Sequence, residues 1–256
     1  MTATARRIGW LVLATMLLGG GVAAAQGVAV PGAPRSVTLT LDGSGGPATI
    51  DVALEIVLLM TVLSLAPALL ILLTSFTRIV IVFGFLRQAL GTNQMPSNQI
   101  LIGLSLFLTF VIMSPVFTDI NQNALQPYLQ HDITQGEAFH RAEGPLKAFM
   151  LKQVREKDVG LFLELTNREA PATPEELPLL VVIPSFVIGE LKTAFQMGFV
   201  LFLPFLVLDM VVASVLMSMG MMMLPPVMIS LPFKVLLFVL VDGWHLIVKS
   251  LVAAFE

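Results

Sequence analysis

The sequence predicts an all-α, membrane-associated protein in which two long helical hairpins flank a helical, charged extracytoplasmic insertion. Three observations carry that reading. Of 256 residues, 56% are hydrophobic and 12% are charged, about half the charged share of an ordinary soluble domain. The apolar residues gather into long runs before residue 119 and after residue 180. Between those runs, residues 119–180 hold most of the charges. A net charge of -3 gives no basic footprint for nucleic acid. The absence of cysteine excludes disulfides, thiolate metal sites and thiol nucleophiles, and suits passage through an oxidising space.

Residues 1–25 read as a cleavable signal peptide. Arg6 and Arg7 form a basic start, Ile8 to Leu18 a short apolar core, and Ala23-Ala24-Ala25 a small-residue cleavage site before Gln26. An uncleaved anchor is the alternative, but it normally needs about 20 apolar residues. Residues 26–50 are rich in Gly, Pro, Ala and Ser and read as a flexible lead-in, with a possible short strand at Val37 to Leu41. Residues 51–118 read as the first hairpin. Val52 to Leu73 is long enough to span, a connector containing Arg78 and Arg87 follows, and Ile100 to Phe117 is uncharged. In the insertion, 119–180, the apolar residues from Leu146 to Leu165 recur at helical spacing. Residues 181–256 form the second hairpin, with a kink expected at Pro204. If Gln26 lies outside, the first helix ends inside, the insertion returns outside and Arg78 and Arg87 obey the positive-inside bias.

The turn of the second hairpin holds Met217, Met219, Met221, Met222 and Met223, followed by Leu224, Pro225 and Pro226. Methionine is unbranched and polarizable, so such a cluster suits a compliant seal or soft binding surface. Two other readings stay open: gap filling in a core turn, and Cu(I) ligation by thioethers, although no His or Cys accompanies the run. Glu55, Glu190, Lys192, Asp209, Lys234, Asp242, His245 and Lys249 lie in or beside the apolar runs. A charge in a bilayer costs about 2.5–3.5 kcal/mol on insertion scales, so these groups need partners, water or protein around them. Glu190 and Lys234 are too far apart along straight arms to meet, roughly 40 Å at 1.5 Å per residue. An ion pair between neighbouring subunits is therefore expected for them. Buried positions are expected for Glu55, Arg78, Asp209 and Asp242. Asp209, Asp242 and His245 also leave a proton path open. No phosphate loop, zinc-protease motif or nucleophile elbow occurs, so neither an enzyme, a cofactor nor a metal site is expected.

Three stretches together resemble the FliP family of flagellar biosynthetic proteins, core components of the type III export gate. They are Leu73 to Ile79 running on through Arg87 to Thr92 and Gln94 to Gln99; Pro184 to Phe199; and Asp209 to Ser214 leading into Met217 to Pro226. The virulence-associated secretion homologues look similar, but the signal peptide and insertion favour the flagellar branch. The resemblance implies a pentamer assembled with FliQ and FliR and other export-apparatus proteins. It implies a helical pore, largely above the bilayer plane, passing unfolded protein substrates at the inner membrane and its periplasmic face in the flagellar basal body. It further implies that Met217 to Met223 form a methionine gasket, and that Glu190 and Lys234 contact neighbouring subunits. A secondary transporter or copper transporter is the remaining alternative.

Overall fold

The computed structural model describes residues 47–92, 94–221 and 224–255. The expected signal peptide, most of the lead-in and the possible strand at Val37 to Leu41 lie outside these residues. By internal packing the chain divides after Asp51. Of the first unit only residues 47–51 are described, and they are helical. The unit from Val52 onward is built from helices, with no strand among its described residues.

Helix α1 spans Pro47–Leu73 and α2 spans Phe76–Leu90, so residues 47–50 are helical rather than part of a lead-in. The two helices meet at a 79° bend. Backbone groups freed there find side chains: Thr74 Oγ1 donates to the Leu70 carbonyl at 2.5 Å, and Thr77 Oγ1 to Ile71 at 2.8 Å. Such local satisfaction is what lets a sharp bend persist in an apolar setting. The connector expected around Arg78 is therefore a helix. Its apolar residues Ile79, Val82, Phe83, Leu86 and Leu90 recur at three- and four-residue steps and are all buried. Gly91, with φ 72°, ends α2 in the left-handed conformation, and its N–H donates to the Gln88 carbonyl at 3.1 Å.

After the reversal at residues 91–97, α3 spans Asn98–Ile120. The Arg87 guanidinium donates to Asn98 across this turn. Ser105 and Thr109 face the core because each returns its hydroxyl to the carbonyl four residues earlier, at 2.7 Å. The expected boundary at 118/119 is not a break. The helix passes through a π-helical turn at Asn121–Leu125 into α4, Gln126–Leu129. In the insertion, the helical segment expected from Leu146 to Leu165 is two helices, α5 (Gln135–Gln153) and α6 (Glu156–Leu165). Thr134 caps α5 by accepting from the Glu137 N–H at 3.3 Å, with Glu137 itself in the first turn.

Helix α7 spans Leu179–Ser218, 40 residues that continue through Pro184 and Pro204. The second arm of that hairpin is the broken one. Its parts are α8, Pro226–Leu240, and α9, Gly243–Ala253, which meet at 64° through Asp242 at φ 51°. The helices Asn98–Leu129 and Leu179–Ser218 are long and apolar enough to cross a membrane, and each bent pair would add one more span.

Helix α7 is the axis of the packing. Its first half carries a buried stripe of Val182, Ser185, Phe186, Gly189, Ala194 and Gly198, against which α2, α5 and α6 pack. One apolar cluster joins α2, α3, α7, α8 and α9, and a second joins the ends of α3 and α9 to α5, α6 and the start of α7. Helix α2 lies closely along α7 because Gly198 has no side chain. A Cβ there would overlap the Phe85 ring, which also packs edge-on against Phe195 at 5.2 Å. Beyond Phe205 only Leu216 of α7 is buried. Gly198→Ala is expected to destabilise the chain by about 1–3 kcal/mol through overpacking, read from thermal unfolding in detergent.

Candidate functional site: buried ion pairs and the methionine turn

Two buried ion pairs place the functional elements. The first is centred on Arg78 in the first turn of α2, which is 2% exposed. Its Nε donates to Glu190 Oε2 at 2.9 Å and its Nη2 pairs with Oε1 of the same carboxylate, a bidentate fork. The same Nη2 donates to Gln153 Oε1 at 3.0 Å, and Nη1 to the Ala254 carbonyl at 3.1 Å. The Phe255 ring covers the guanidinium at 3.8 Å. One side chain thus ties α2, α5, α7 and the end of α9 together.

The second pair lies at the other end of α2. Lys234 of α8, 2% exposed, donates from Nζ to Asp209 Oδ2 of α7 at 2.6 Å and to the Ala89 carbonyl at 3.2 Å. That carbonyl belongs to the last turn of α2, where it has no partner within its own helix. Ser230, one turn before Lys234, donates to the other oxygen of Asp209. Glu190 and Lys234 each have an intrachain partner, so within the chain each charge is met without the other. The physical reason is that α2, expected to be a connector, inserts beside α7 and brings Arg78 to Glu190.

The other charges divide. Asp209 is half-buried, and Asp242 is exposed in the break between α8 and α9, contrary to the burial expected of it. Lys192, His245 and Lys249 are also exposed. Among the described residues no hydrogen bond joins Asp209, Asp242 and His245 into a proton path. Glu55 lies within α1, but its side chain is outside what is described. The serine and glutamine that complete the two clusters escaped notice. Ser230 could have been found from its spacing to Lys234, four residues on one face of a helix. Gln153 carries no comparable signal.

The methionine turn begins at the end of α7. Gly220 adopts φ 75°, its N–H donates to the Met217 carbonyl at 3.0 Å, and the Met221 N–H reaches back to Leu216 at 3.0 Å. This is the paired reverse bonding of a left-handed helix stop, which glycine enters without steric cost. Met217, Met219 and Met221 are exposed there. Met222 and Met223 lie outside the described residues. Pro225 is extended and Pro226 opens α8, where its missing N–H is harmless.

The FliP family model matches residues 59–251, which include both ion pairs and the turn. The chain belongs to the FliP family. It is 56% identical over 217 residues to the flagellar biosynthetic protein FliP of Bacillus subtilis, covering 85% of this chain and 98% of that one. To the protein of that name from Caulobacter vibrioides it is 53% identical over 224 residues, covering 88% and 84%. To that of Aquifex aeolicus it is 50% identical over 206 residues, covering 80% and 86%. The similarity to these FliP proteins thus extends far beyond the methionine run.

Glu190→Gln leaves a buried guanidinium without its counter-ion and is expected to cost about 3–5 kcal/mol of stability. Arg78→Met combined with Glu190→Leu removes both charges and should regain part of that loss. The remainder reflects the stranded Gln153 and Ala254 acceptors. Thermal unfolding of the three purified chains in one detergent measures both differences.

Proposed function

We propose that this chain is a pore-forming subunit of the flagellar type III protein export gate, with its methionine turn acting as a gasket around passing unfolded protein. The coarser part follows from family: this is a flagellar biosynthetic protein of the export apparatus with helices able to span a membrane. The observation that carries the finer reading is the exposed group Met217, Met219 and Met221 at the tip of a 40-residue helix. Thioether side chains have three rotatable bonds and no charge, so a ring of them fills a gap closely and still deforms around different side chains.

Assembly accounts for the rest of the surface. Helix α7 is about 60 Å long, roughly twice the hydrocarbon thickness of a bilayer. Its second half exposes Phe199, Val207, Met210, Val211 and Val215. An apolar face of that extent calls for neighbouring protein or lipid. Further copies of the chain, as a pentamer, together with FliQ and FliR, are the proposed cover. Within the flagellar basal body, at the inner membrane and its periplasmic face, the charged α5–α6 region then meets water. Glu190 and Lys234 act within each subunit, by fixing the alignment of its helices. Energy for export comes from other apparatus proteins.

Changing Met217, Met219, Met221, Met222 and Met223 to Ala in the assembled gate is expected to raise resting ion conductance across reconstituted vesicles several-fold, while the mass of the complex is unchanged. Wild-type conductance in a fully assembled variant would refute the gasket.

A further inference from the structure

Helix α7 ends nine residues beyond Asp209, so the methionine turn stands about 14 Å further along the helix. Along that stretch the pair of arms has little to hold it. Met210, Val211, Val215 and Met217 of α7 and Val227 and Met228 of α8 are exposed, and of α7 only Leu216 is buried. The polar fastening sits at the base. Both oxygens of Asp209 are taken by α8, one by Ser230 and one by Lys234, and Lys234 also holds the final turn of α2.

We infer that Asp209, Ser230 and Lys234 form a register lock that sets the resting height of the methionine turn, a role that rests on the gasket reading. Ser230 and Lys234 are one helical turn apart, so a single alignment of α8 on α7 satisfies both carboxylate oxygens. Sliding α8 by one turn, about 5.4 Å, puts either the serine or the lysine where the other belongs and leaves an ammonium or an oxygen unpaired inside the protein. A partner lost in this way is costly, whereas the intact pair adds little stability over an apolar substitute. The cluster therefore discriminates between alignments more than it strengthens any one of them. Contact with the Ala89 carbonyl adds a third helix to the lock. The turn is thus referenced to α2 and, through the Arg78 fork at the other end of α2, to the body of the subunit. The three residues are positioning residues: they act on the pore through the arms they align.

The test uses the assembled gate complex in vesicles, with Asp209→Leu and Lys234→Met made together. A pair that serves stability alone is replaced by these apolar residues with unchanged assembly and conductance, and at most a modest loss of thermal stability from the stranded Ala89 carbonyl. The lock predicts unchanged assembly and the same modest thermal loss, with resting conductance raised several-fold. Ser230→Ala, a milder change, is measured alongside and is expected to leak less than the double variant. Because the chain has no cysteine, spin labels at Val215 and Met228, introduced into a few labelled copies among unlabelled ones, report the spacing of the two arms directly. The lock predicts a shifted or broadened distance in both variants. An unchanged distance in an assembled complex overturns it. A changed distance without leak upholds the lock and counts against the methionine seal. Leak confined to the methionine variant, with unchanged distances, upholds the seal and overturns the lock.

Discussion

Everything in this fold is referred to the buried guanidinium of Arg78. A fully enclosed charge in an apolar helical protein is tolerable only when its donors are met, and here a carboxylate fork, an amide oxygen, a carbonyl and an aromatic face meet them. Those partners come from α7, α5 and the chain's last turn, which are far apart in sequence. Satisfying one residue therefore fixes the relative placement of four helices. Once Arg78 is bound to Glu190, α2 lies along α7, and the slot at Gly198 lets Phe85 close the contact.

The second polar cluster repeats the same logic at the opposite end of α2. Lys234 satisfies the carbonyl of Ala89 that helix geometry leaves free, and it takes its counter-ion from α7. Between the two clusters the packing is apolar and, outside the Phe85–Gly198 slot, non-directional, so it tolerates sliding better. Polar groups do not, because each displaced donor or acceptor is left unpaired away from water. The apolar residues make the bundle hold, and the few charged residues decide its alignment. Outside that alignment the second half of α7 and the start of α8 stay bare, the surface that the proposed assembly would cover.

Functional meaning follows from where this alignment stops. Rigid reference ends at Asp209, and the methionine turn begins beyond a stretch of exposed apolar helix. Gly220 stops α7 within the methionine run itself, so the thioethers sit at the change of direction rather than along a helix face. A soft tip on a fixed base is the arrangement the proposed seal requires: the base would keep the tip centred, and the tip would yield to a passing chain.

Much of this was written in local sequence. Apolar run lengths determined the helices and the membrane association, residues 119–180 announced a solvated region by their charge, and the Met-Gly-Met-Pro-Pro pattern marked the turn and its chemistry. Spacing also showed that Glu190 and Lys234 cannot meet within one straight hairpin. What local reading missed is the fate of residues 74–90. Their mixture of Thr, Ser and Arg with apolar residues resembled a polar connector, although Ile79, Val82, Phe83 and Leu86 already carried a helical face. Whether Arg78 faces water or a carboxylate 112 positions away is a question of which helices become neighbours, and no period or composition contains that answer. Likewise, the second hairpin breaks at Asp242 in its second arm, where α9 folds back and Ala254 and Phe255 reach Arg78. The sequence by itself determined the kinds of element and the chemistry at the tip. Only tertiary structure decided which charges are paired, because pairing depends on distances that chain connectivity leaves free.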